Sequence, residues 1–94
     1  MKHYELLKLV PGADPVEIQE KLWRGYRKLG DALDWLNHPV VYRSCRQEDD
    51  YDLMVVIEVD KEELLNALMD DPEVQKQEDA VKPFIHRRKI FNHY

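Results

Sequence analysis

Glycine and cysteine are scarce in this chain: three glycines and one cysteine in 94 residues. So few glycines leave no room for a phosphate-cradling loop, a dinucleotide fingerprint or a nucleophile elbow, each of which needs glycine at fixed spacing. A lone Cys45 excludes an internal disulfide and any zinc site built on paired cysteines. Its simplest reading is a buried or half-buried free thiol in a reducing compartment. No apolar run approaches the ~20 residues that span a bilayer. The opening Met1-Lys2-His3-Tyr4-Glu5 lacks the apolar segment of a signal peptide. A soluble cytoplasmic protein is therefore expected. Basic charge is also short, with 14 Lys and Arg against 19 Asp and Glu and a net charge of -5. That argues against nucleic acid or an anionic membrane as the main partner, since both need a basic footprint.

What the chain does have is apolar material: 44% of its residues are hydrophobic, enough to build a core. Its length suits one domain, residues 1–94, small enough to gain from oligomerisation. Residues 2–10 read as a strand, ended by the turn signal Pro11-Gly12. Asp14-Pro15-Val16-Glu17 then opens a helix, with aspartate as cap and proline at the first helical position. An apolar stripe of Ile18, Leu22, Leu29, Leu33 and Leu36 predicts that this helix runs to Asn37-His38-Pro39. A second strand is expected over Val40–Cys45. Tyr51–Val59 is the clearest strand, and its apolar residues Leu53 to Ile57 are consecutive rather than alternating. Such a strand is buried on both faces, so something beyond this chain's own helices must cover the second one, and a partner chain is the economical candidate. Asp60-Lys61-Glu62-Glu63 reads as a capping box opening a helix with Leu64, Leu65, Leu68 and Met69 inward. Asp71-Pro72 starts a third helix, and residues 84–93 form the last strand. The order β-α-β-β-α-α-β is the split βαβ pattern of an α+β, ferredoxin-like fold with a four-stranded antiparallel sheet.

Few residues carry chemistry. The four histidines lack the spacing of a helical metal pair, and no metal or cofactor is expected. His3 and Glu5 are two residues apart on the first strand and so share a face. In a pocket they would form an acid/base pair in which glutamate raises the histidine pKa; on a wet strand end they would be routine polar residues. His86 lies on the last strand, which neighbours the first in this fold, so it is a candidate to approach His3. Trp23 and Tyr26 sit close to the apolar stripe of the first helix but off it. They are candidates to line a ligand cleft, or ordinary core and interface aromatics. Asp49, Asp50 and Asp52 form an acidic turn that reads as solvated loop. His86-Arg87-Arg88-Lys89, the one basic run, suits either binding of a carboxylate or a charged strand that resists edge pairing.

Read together along nearly the whole chain, these segments resemble the stress-responsive dimeric α/β-barrel proteins. The matching residues are Lys2-His3 and Lys8-Leu9 at the two ends of the first strand, Tyr51-Asp52-Leu53, Asp60-Lys61-Glu62-Glu63-Leu64, Asp71-Pro72, and Val81-Lys82-Pro83-Phe84. The resemblance implies a homodimer in which two four-stranded sheets pack face to face into a barrel. Some plant members are polyketide cyclases that use a tyrosine and a histidine flanking the Asp/His-Pro segment. By spacing from Pro72 those positions are Leu68 and Val74 here, and neither can move a proton, so that mechanism does not carry over. The first-strand histidine of the cyclases matches His3, while a position apolar in their pattern is Glu5. An RNA-recognition relative is excluded by the aliphatic third strand, which offers no aromatics for base stacking. Two readings follow. One is a small-molecule-binding dimer with His3, Glu5, Trp23, Tyr26 and His86 as candidate pocket residues; the other is a non-catalytic dimeric structural or interaction protein.

Overall fold

The computed structural model describes residues 1–46 and 48–94. Strand β1 spans Lys2–Leu9, helix α1 Pro15–Ala32, strand β2 Leu36–Arg43 and strand β3 Leu53–Val59. Helices α2 (Glu62–Asp70) and α3 (Pro72–Val81) follow, then a 3-10 turn at Lys82–Phe84 and strand β4 (Ile85–His93). The four strands form one sheet in the order β2-β3-β1-β4, and every neighbouring pair is antiparallel. This is the expected ferredoxin-like α+β fold.

Local chemistry sets the boundaries. Gly12 turns the chain after β1 at φ 87°, a conformation that penalises any side chain. Asp14 caps α1 by accepting the Val16 N–H at 3.0 Å, and Asp71 caps α3 by accepting those of Glu73 and Val74. No capping box forms at α2. Its cap is Lys61, whose ammonium has no acceptor to offer and makes no side-chain bond to the helix, while the Asp60 carboxylate accepts from the Asn37 amide at 3.0 Å.

The first helix is shorter than its sequence pattern predicts. It stops at Ala32, with Leu33 already extended at φ -119°. Leu36, read as the end of the helical stripe, is instead the first residue of β2. There it is buried, with its side chain and that of Pro39 packed against Gly30 of α1. Pro39 therefore sits inside a strand, next to His38 at φ 50° where the β2–β3 register slips between Asn37 and Val40. A bulge of this kind accommodates a proline that cannot donate to the ladder. Cys45, expected to be buried or half-buried, is exposed.

The sheet has two unlike faces. All three helices lie against one of them, where Leu7, Leu53, Val55, Ile57, Ile18 and Leu22 are buried in a common core. Burial along β3 alternates strictly, so within one chain its unbroken apolar run is buried on one face and not on both as its sequence predicts. The odd residues belong to this core, and the even residues Met54 and Val56 face the other way. There they join Tyr4 and Leu6 of β1, Val40 and Tyr42 of β2, and Phe91 of β4 on a face that, among the described residues, no helix covers. Tyr42 and Phe91 remain 52% and 65% exposed.

Candidate functional site

Alternation along β1 puts His3, Glu5, Leu7 and Leu9 on the helix-covered face. His3 and Glu5 are each only 2% exposed, and they are the buried polar residues of this core. On one side β3 sets aliphatic partners opposite them, Ile57 and Val55. On the other side β4 sets Asn92 opposite His3 and Ile90 opposite Glu5. From above, α1 lowers Tyr26, 2% exposed, until its hydroxyl lies 3.4 Å from Glu5 Oε2. Tyr26 thus stands on the inward stripe of α1, between Leu22 and Leu29, not beside it as its spacing suggested.

The geometry orders the protons. His3 Nδ1 lies 2.6 Å from Asn92 Oδ1; that oxygen can only accept, so Nδ1 carries hydrogen. His3 Nε2 faces Glu5 Oε1 at 3.6 Å, an ion-pair separation too long for a hydrogen bond. Nε2 is buried with no hydrogen-bond partner. Burial works against a charged imidazole, but Glu5, the Asn92 carbonyl and the more distant Glu78 together raise the His3 pKa above its ordinary 6.5. Burial, then the charges of Glu5 and Glu78, push the Tyr26 phenol well above its usual range. Tyr26 is therefore held as an O–H donor. Tyr26 thus donates toward the Glu5 carboxyl group from one side, and His3 can do so from the other through Nε2 when its ring is protonated.

Toward the surface the cluster meets an ion pair. Arg88 Nη2 of β4 donates to Glu78 Oε2 of α3 at 2.6 Å, with side chains 31% and 26% exposed. Nearby, Gln77 of α3 lies across Gly25 of α1 where a side chain would otherwise stand.

The other two candidates lie elsewhere. His86 is exposed, at the point where the β1–β4 register jumps from Lys8–Arg87 to Leu9–Ile85. Antiparallel pairing sets the start of β4 beside the end of β1, so His86 lies at the Leu9 end of that strand and Asn92 takes the place beside His3. Trp23 is 40% exposed, with the Arg27 guanidinium 5.1 Å from its ring centre. It lines a shallow groove with Val16 and Val41 on the outer side of α1. Asn92, Arg88 and Glu78 were not singled out individually by the sequence. Counting residues of like parity on β4 back from Asn92 would have found Arg88; only the packing of α3 reveals Glu78. Leu68 and Val74, at the positions of the cyclase tyrosine and histidine, are buried core residues. Asp52, from the acidic turn, accepts the Leu9 N–H at 2.8 Å and pairs with Lys8.

Sheet order, register and helix placement define a ferredoxin-like α+β protein. Residues 1–93 match the Stress responsive A/B Barrel Domain, and the chain belongs to that family. Among solved structures, it is similar to a dimeric protein of unknown function and ferredoxin-like fold from Bacteroides fragilis. The two share 13% identity and a TM-score of 0.86, over 98% of this chain and 92% of that one. A dimeric ferredoxin-like protein of unknown function from Thermobifida fusca gives 21% identity and a TM-score of 0.78, over 96% and 85%. A cofactor-independent oxygenase from Streptomyces nogalater gives 9% and 0.74, over 98% and 90%. At such identities the likeness is one of fold. No curated protein sequence matches the chain. The activity of this family member is not specified by any of these relatives. Among the described residues, no helix is long and apolar enough to cross a membrane.

Proposed function

We propose that this protein is a homodimer that binds a small organic molecule between its helices and its sheet, over the His3–Glu5–Tyr26 cluster. The observation that carries the reading is the buried, unpartnered His3 Nε2 beside Glu5. Burying an ion pair is costly, and apolar residues of similar volume usually serve stability as well or better. A purely structural cluster would be expected to close its hydrogen bonds, yet the contacts to Glu5 stand at 3.6 Å and 3.4 Å, longer than a good bond. A guest polar atom would satisfy all three groups. The dimer is supported by the bare apolar sheet face and by two relatives described as dimeric. The rival reading, a non-catalytic dimeric scaffold, draws on the apolar Leu68 and Val74. A cytoplasmic location agrees with the exposed Cys45 thiol, which persists best in a reducing compartment.

Native mass spectrometry of freshly purified protein, set against the denatured mass, tests both parts. The expected result is a dimer with added small-molecule mass, lost in His3→Ala and Glu5→Ala. A monomer at micromolar concentration would refute the dimer. Unaltered ligand mass in both variants would refute the site.

A further inference from the structure

Arg88 is the feature that this reading leaves unused. Its neighbours on β4, Arg87 and Lys89, face the open side of the sheet, but Arg88 stands opposite Leu7 on the helix-covered face. Glu5 faces Ile90, so Arg88 is its diagonal neighbour across the two strands, about 7–8 Å away between backbones. Burial disfavours the Arg88 charge, yet Glu5 and Glu78 more than compensate and hold its pKa up. A guanidinium has five N–H donors in a fork that fits a carboxylate. Among the described residues, the Arg88 side chain uses one of them, Nη2, on one oxygen of Glu78. Glu78 lies at the margin of α3, partly in solvent, and can leave Arg88 for water at small cost.

We propose, building on the ligand site above, that the Glu78 carboxylate stands in for the carboxylate of a small hydroxy acid. In the bound state the ligand carboxylate takes the fork of Arg88, Glu78 turns to solvent, and the ligand hydroxyl enters the cluster. There it accepts from His3 Nε2–H and donates to Glu5, giving His3 the partner it lacks. The short diagonal from Arg88 to Glu5 keeps carboxylate and hydroxyl within a few atoms of each other. An amine ligand fits worse, since its cation would lie against the Arg88 guanidinium.

Calorimetric titration with sodium 3-hydroxybutyrate and sodium butyrate at low salt tests the assignment, with melting curves confirming that each variant is folded. Wild-type protein should prefer the hydroxy acid. Arg88→Gln should weaken both acids about tenfold or more, Arg88→Lys less so, and Glu78→Gln should tighten both about tenfold by removing the competitor. A merely structural ion pair would not give these opposite signs. Glu5→Gln should erase the preference for the hydroxyl, so that the two acids bind alike. If Glu78→Gln fails to tighten binding, or neither acid binds it, the carboxylate assignment is overturned. If the opposite signs appear but Glu5→Gln keeps the preference, Arg88 stands as the carboxylate site and the reading of the inner cluster falls.

Discussion

The two faces of this sheet are built from the same strands by opposite rules. On the helix side an apolar core surrounds two buried ionisable residues, His3 and Glu5. On the open side, Tyr4, Leu6, Met54 and Phe91 line a groove of about 530 Å³ that ends in Lys89 and His93. A face meant only for water would be polar, and a core meant only for stability would be apolar throughout. Each face therefore departs from the bland solution, and the departures are what the two proposed partners, a small molecule on one side and a second copy of the chain on the other, are meant to explain.

Adjacent residues of β3 give the sharpest way to break this comparison. Val55 is fully buried beneath the helices, and Val56 faces the open side. Val55→Asp should unfold the chain, since an unpaired buried carboxylate costs several kcal/mol out of a stability of about 5–15 kcal/mol. Val56→Asp should leave a folded monomer. Circular dichroism with sedimentation equilibrium separates the two outcomes, and a Val56→Asp dimer of normal mass would show that the open face is not the interface.

A smaller effect is expected from pH. Because the folded state raises the His3 pKa above 6.5, folding favours the protonated ring. The stability that this contributes is fully present below pH 6.5, the ordinary value, and is lost as pH rises through the raised folded value. Melting temperature should thus fall as pH climbs above 6.5 through the raised value, and Glu5→Gln should flatten that limb. Equal slopes in both proteins would mean that Glu5 is not what holds the His3 pKa up. The smallest change belongs to neither face. Asp71→Ala removes the cap of α3 and should cost about 1 kcal/mol in a denaturant titration, while leaving ligand and dimer intact.

Much of the fold was legible because its signals are local. Proline after a capping aspartate, a glycine turn and runs of β-branched residues marked elements whose cores survive in the structure. The errors fell where tertiary contact overrides local pattern. Leu36 continues a helical period but is claimed by the sheet, and Asp60 has the sequence of a cap but is claimed by Asn37. Of the site, His3 and Glu5 were visible because parity on one strand needs no knowledge of neighbours. Tyr26 was noticed but set off the stripe, since a tyrosine is not counted among apolar residues until its hydroxyl finds an acceptor. Asn92, Arg88 and Glu78 depend on the β1–β4 register and the seat of α3, which no local spacing encodes.

The contacts of β1 with β4 bear on how the protein is made. Tyr4 meets His93 on the open face while His3 holds Asn92 on the covered one, and 89 residues separate the members of each pair. On the ribosome, β1 emerges early and must wait, its buried-to-be histidine and glutamate still in water, until β4 has been synthesised. Neither face can be completed piecemeal. Translation must deliver the far strand before the near one acquires either its interior chemistry or its outer surface.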